Sequence, residues 1–156
     1  MSYIAVNAPN SQPAIQISTA TIASTTTGYS IPALQDITIN NAAGVFNWQQ
    51  LDQFSQLSVP TPATNSITAN MVIDPAVFFG TAGVVGSTGV APLFDLQNNA
   101  TEVFFRVYMN GKLTGSKYIS GKGYITNLAP TTNPGAPIFV SPITISVDGD
   151  LTAGTV

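Results

Sequence analysis

Two stretches in the last third of the chain alternate apolar and polar residues one at a time, a period that commits them to strands buried on one face. In TEVFFRVYMN, Val103, Phe105, Val107 and Met109 alternate with Phe104, Arg106 and Tyr108; in PITISVDGDL, Ile143, Ile145 and Val147 alternate with Thr144, Ser146 and Asp148. Successive side chains leave a strand on opposite sides, so this pattern describes half-buried antiparallel strands. Strands are expected over residues 101–109, 118–128 and 138–147, with Asn110-Gly111 as a two-residue hairpin turn between the Val103 strand and a strand over 112–119.

The same period recurs upstream in SITANMVID, with Ile67, Ala69, Met71 and Ile73 on one face and Pro75 as the stop. Residues 34–40 read as a strand with Ile37 and Ile39 inward, and Ile15 to Ile17 begin another; STATIASTTTGYS after it reads as strand or arm. Residues 91–99 form the expected helix, with Pro92 in its first turn, Asp95 near the positive end of the dipole, and Leu93 and Leu96 on one face. Residues 47–57 are ambiguous: Trp48, Leu51 and Phe54 fall at helical spacing, Asn47 is placed to cap and Pro60 to terminate. The expected fold is mainly β: one domain over residues 1–156, a small antiparallel β barrel or sandwich with one packed α-helix. An extended arm at 1–14, where Pro9 and Pro13 block helix, and a glycine-rich loop at 75–90 complete it.

Only 7% of the residues are charged, for a net charge of −3, while 44% are hydrophobic; the usual charged share is about 25%. Cover by copies of itself explains such a surface better than a neutral monomer coated in Ser, Thr and Asn. Cysteine and histidine are both absent, which removes the disulfide, the thiolate nucleophile, the commonest general base and the usual transition-metal ligands. No enzyme activity, cofactor or metal is expected. MSYIAVNAPN has no basic region ahead of an apolar run, so synthesis is expected in the cytoplasm. The uncharged stretch between Asp74 and Asp95 carries Gly80, Gly83, Gly86 and Gly89. Each glycine disfavours helix by about 1 kcal/mol, so a loop that orders against a partner is expected rather than a membrane span.

Other motifs lead nowhere specific. GSKYISGKG has five residues between its glycines and no Ser or Thr after Lys122, so it is not a phosphate loop; Asp148-Gly149-Asp150 lacks the downstream oxygen ligands of a calcium loop and reads as a β turn. A carboxylate-dependent hydrolase using Asp148 and Asp150 has no raised-pKa acid in a cleft to support it.

From Gly121 to Leu151 the chain reads GKGYITNLAPTTNPGAPIFVSPITISVDGDL, and this stretch resembles the end of the major tail tube proteins of long-tailed bacteriophages. The similarity extends more loosely to APLFDLQNNA and SITANMVID, roughly the C-terminal half, while the N-terminal third departs in being rich in Ser, Thr and Ala. The resemblance implies a virion protein of the tail that forms hexameric rings, stacked into a hollow tube. Its partners would be copies of itself, a tape-measure protein, a tail terminator and baseplate or tail-tip proteins, with DNA as transient, non-specific cargo. Net acidity suits a conduit for a polyanion, because every neutralised phosphate would retain the cargo. A different reading is a carbohydrate- or receptor-binding β-sandwich using Trp48 and tyrosines as stacking platforms.

All four cations, Arg106, Lys112, Lys117 and Lys122, lie among Tyr108, Tyr118 and Tyr124. They admit three readings: a solvated hairpin, an intersubunit ionic patch, or a nucleic-acid surface, the last opposed by the acidic balance. The contact candidates between subunits are these four cations, the carboxylates Asp74, Asp148 and Asp150, and the apolar pair Phe78 and Phe79.

Overall fold

The computed structural model describes residues 12–52, 54–80 and 92–156. Among the described residues nine strands form one antiparallel sheet: β1 (Ala14–Ser18), β2 (Tyr29–Ser30), β3 (Leu34–Trp48), β4 (Leu57–Val72), β5 (Glu102–Lys112), β6 (Lys117–Leu128), β7 (Thr131–Asn133), β8 (Ala136–Val147) and β9 (Thr152–Thr155). The order is β2-β1-β5-β6-β8-β4-β3, with β7 beside β8 and β9 beside β6. The end strands β2 and β3 do not pair, so the sheet is an open sandwich and the closed-barrel alternative falls.

The alternating residues fill the core as their period requires. Val103, Phe105 and Val107 of β5 meet Ile15 and Ile17 of β1, Ile143 and Ile145 of β8, and Ile67, Ala69 and Met71 of β4 in one buried cluster. Burying each of the larger side chains contributes about 1.5–3 kcal/mol. Ile37 and Ile39 of β3 pack on it while partly exposed.

Among the described residues two short helices, rather than one, lie on this core. The expected helix is present as α2 (Leu93–Asn98), with Leu93 and Leu96 buried and Asp95 in its first turn; Pro92 stands at the N-cap. At the start of the stretch read as a loop, Pro75–Phe78 forms α1. Asp74 there accepts hydrogen bonds from the amides of Ala76 and Val77 at 2.8 and 3.3 Å, and proline at the first position leaves no unsatisfied donor. Residues 81–91 of that loop and residues 1–11 of the arm lie outside the described residues.

One further expectation is corrected and one ambiguity is resolved. The β5–β6 turn is not at Asn110-Gly111, which continue β5, but at residues 113–116: the Ser116 amide donates to the Leu113 carbonyl, and Gly115, at φ +87°, takes the left-handed position of a type II turn. Trp48 closes a strand instead of opening a helix. Residues 34–48 and 57–72 pair as one long hairpin from Leu34↔Met71 to Trp48↔Leu57. Leu51 and Phe54 lie in the connection between the two strands, so their helical spacing from Trp48 places them on no helix.

The β6–β8 ladder, from Gly123↔Val147 to Leu128↔Ile143, joins the two halves of the sheet. A Cβ on Gly123 would stand 2.1 Å from the Ser146 carbonyl oxygen, a backbone atom that cannot step aside. Gly123→Ala is therefore expected to destabilise the protein by about 1–3 kcal/mol, read as a lowered denaturation midpoint in urea. An unchanged midpoint would mean that the two strands are not held this closely.

Candidate assembly surfaces

The outer face of β1 and β5 is covered by the polar segment 19–28, and this is where two of the four basic residues are used. Gln16, fully buried on β1, donates through Nε2 to the carbonyls of Ser24, Thr25 and Thr27, and its Oε1 accepts from the buried Tyr108 hydroxyl. Arg106 donates to the Ile22 carbonyl and lies 4.5 Å from the Tyr118 ring centre. Lys112 donates to the Thr25 carbonyl at 3.2 Å and stands 5.7 Å from the Tyr108 ring centre. Burial lowers the Lys112 pKa below its ordinary value. Ser- and Thr-rich STATIASTTTGYS is thus a clasped cover rather than a free arm, and it buries Tyr108 on the face that simple alternation assigns to solvent.

The other two cations also have partners in their own chain. Lys117 donates to Thr155 Oγ1 at 2.6 Å. Lys122 sits between Asp148 at 3.0 Å and Glu102 at 3.1 Å, and their hydrogen bonds, Asp148 first, hold its pKa above the usual value. Of the remaining candidates, Asp74 is the α1 cap and Asp150 is exposed. Phe78 is 1% exposed and packs in the core. Phe79 beside it is 60% exposed, with its ring 4.8 Å from that of Phe78 and 6.1 Å from that of Phe94.

A further exposed apolar surface depends on strand register and is not visible in the sequence. β8 pairs with β4 only as far as Ser66↔Ser146; there Asn65 Nδ2 reaches the Gly149 carbonyl at 3.3 Å and the β3–β4 hairpin leaves the sheet. Between Ala42↔Thr64 and Gly44↔Thr61 the register shifts, three steps on β4 facing two on β3. One extra residue reverses the face that later residues of β4 present. Beyond the bulge Phe46 lies opposite Val59, and Trp48 opposite Leu57, giving an apolar face opposite the one that carries Ile67 and Ala69. The Phe46 and Trp48 rings stack 6.1 Å apart, while Phe46 is 60% and Val59 47% exposed. Leu51 and Phe54 stand fully in solvent at the tip. A two-stranded hairpin is at best marginally stable alone in water, and an apolar patch of this kind marks a contact site. Only the strand register, with its bulge, assembles these residues.

Among the described residues no group of His, Cys, Asp and Glu is arranged to hold a metal, and no helix is long and apolar enough to cross a membrane.

Three tests follow the chemistry of the covered face. Replacing Gln16 by Leu strands the Tyr108 hydroxyl and the carbonyls of the clasped segment, and should cost about 1–3 kcal/mol with faster amide exchange across 19–28; unchanged exchange would refute the clasp. Among the described residues nothing partners the buried Tyr29 hydroxyl, so Tyr29→Phe should be neutral or stabilising at pH 7 in thermal melts. Burial raises the Tyr29 pKa far above 10.0, and Lys122 is raised above 10.5. In both cases the folded state holds its proton longer than the unfolded one, so the stability these two groups contribute is fully present below about pH 10 and is lost as pH rises beyond it. Tyr29→Phe should flatten that alkaline loss, and an identical pH profile would contradict it.

No family model matches the sequence, and no curated protein is similar to it. Solved structures are. The chain superposes on the SPP1 tail tube protein with a TM-score of 0.62 at 12% identity, over 96% of this chain and 79% of that one. Against a chain of the sheath-tube complex of the extracellular contractile injection system PVC, in its extended state, the score is 0.60 at 14% identity, over 95% and 91%. A chain of the native gene transfer agent virion gives 0.53 at 14%, over 90% and 95%. The fold is that of tail tube proteins.

Proposed function

We propose that this chain is a structural subunit of a phage-type tail tube, acting by self-assembly and not by catalysis. Copies form hexameric rings that stack into a hollow conduit for DNA in the virion tail, meeting a tape-measure protein within and terminator and baseplate or tail-tip proteins at the ends. The likeness of fold to tube proteins supports this reading, and the observation that carries it is the protruding β3–β4 hairpin with its uncovered apolar face. A monomer gains nothing from such a hairpin; a polymer buries it. The sparse charge, 7% of residues, points the same way.

The four cations remain candidates at the borders of these contacts, but their own partners leave them little to offer a neighbour. Exposed ion pairs contribute only about 0–1 kcal/mol each, so apolar burial is the main driving term. Trp48, the platform of the carbohydrate-binding alternative, already stacks on Phe46, and that reading gains no support from it.

Negative-stain microscopy and sedimentation of the purified protein should find rings or tubes as concentration rises from micromolar to millimolar. A strict monomer across that range would sink the proposal.

A further inference from the structure

We propose that the apolar face of the hairpin docks end-on against the aromatic end of a second copy, formed by Phe79 and Phe94. The inference rests on the tube-subunit reading and names the contact that would join one subunit to the next along the stack.

The two surfaces lie at opposite ends of the same strand. At one end of β4, Leu57 belongs to the Phe46, Trp48 and Val59 face; at the other, Val72 leads through Asp74 into α1 and Phe79. Sixteen residues at a rise of about 3.3 Å each place these ends about 50 Å apart, so among the described residues the Phe79 and Phe94 platform cannot cover the hairpin face of its own chain. Phe79 and Phe94, 60% and 46% exposed, are both braced on the buried Phe78 ring, at 4.8 and 6.5 Å. They form a fixed platform rather than loose side chains. The Ile73 amide bonds the Phe139 carbonyl, which puts exposed Ile138 and Phe139 at this same end.

Charge and edge chemistry narrow the occupant. Residues 42–64 hold a single charged residue, Asp52, and no cation stands among the platform residues named, so the two surfaces match as apolar to apolar. Pro60 and Pro62 lie in the part of β4 that β8 has left. Prolines there remove amide donors and oppose addition of another strand along that edge, leaving the ring face as the means of contact. Tip-to-tip pairing would cover one patch and leave the other in water. Joining unlike patches covers both and, repeated by translation, builds an open stack.

The test compares wild-type protein with a tip variant, Phe46→Ser with Val59→Ser, and an end variant, Phe79→Ser with Phe94→Ser. All four side chains are roughly half exposed, so the core stays intact. Neither variant should form long stacks alone, whereas mixing them should restore one contact, giving paired rings or 1:1 complexes that grow no further by microscopy and sedimentation. Salt at about 1 M, where screening reaches about 3 Å, should not dissolve wild-type stacks. If wild type stacks and the end variant stacks equally well, this contact is wrong while the tube reading stands; if wild type never assembles, both fail. Should a serine variant misfold, the absence of native cysteine gives a second route. Copies carrying Val59→Cys, mixed with copies carrying Phe94→Cys and oxidised with diamide, should yield mixed disulfide dimers. Only Val59→Cys homodimers, or no cross-link within assembled wild-type-like stacks, would overturn the proposal.

Discussion

The ladder between β6 and β8 is the constraint on which the remaining architecture depends, because it joins β2-β1-β5-β6 to β8-β4-β3 in the sheet. With Gly123 against the Ser146 carbonyl, the two halves approach closely enough for Ile125, Ile143 and Ile145 to share one core with Ile15, Ile17 and Phe105. Close packing on the inside sets what is left outside. β8 yields to β9 alongside β6, and where it does so β4 loses its second neighbour and runs on as a free hairpin.

That departure turns a fold into a building block. A strand bonded on both sides satisfies its backbone and buries a face; a hairpin bonded only to itself does neither well. The bulge between Ala42 and Gly44 then sets Leu57 and Val59 on the face of Phe46 and Trp48, concentrating apolar area that water penalises. Prolines at 60 and 62 oppose indiscriminate strand addition along the outer edge of β4. Such a surface calls for a specific occupant and resists a random one.

The cations take the opposite course. Arg106 and Lys112 turn to the carbonyls of Ile22 and Thr25, and Lys122 is shared by Glu102 and Asp148. Charge in this protein chiefly holds its own cover segment and turns in place. Association is left to apolar area, consistent with a chain in which ionic residues are few.

By itself the sequence determined the strand faces and the place of the main helix. Val103, Phe105 and Val107, Ile67, Ala69 and Met71, and Ile143 and Ile145 are buried as their alternation requires, because side-chain direction in a strand follows from local geometry. Leu93 and Leu96 likewise fall on the buried side of α2. Tertiary structure decided what alternation does not encode. Tyr108 is buried because a distant polar segment lies over it, and Phe78 is core while its neighbour Phe79 is not, a distinction set by what packs against α1. The Asn110-Gly111 signal was overridden by a turn at Gly115, whose flanking residues are held by Val156 through bonds to Gly115 and Ser116. Above all, the apolar face of the hairpin comes from pairing Phe46 with Val59 and Trp48 with Leu57 across a bulge. Register is a relation between two strands, and no period within either one contains it.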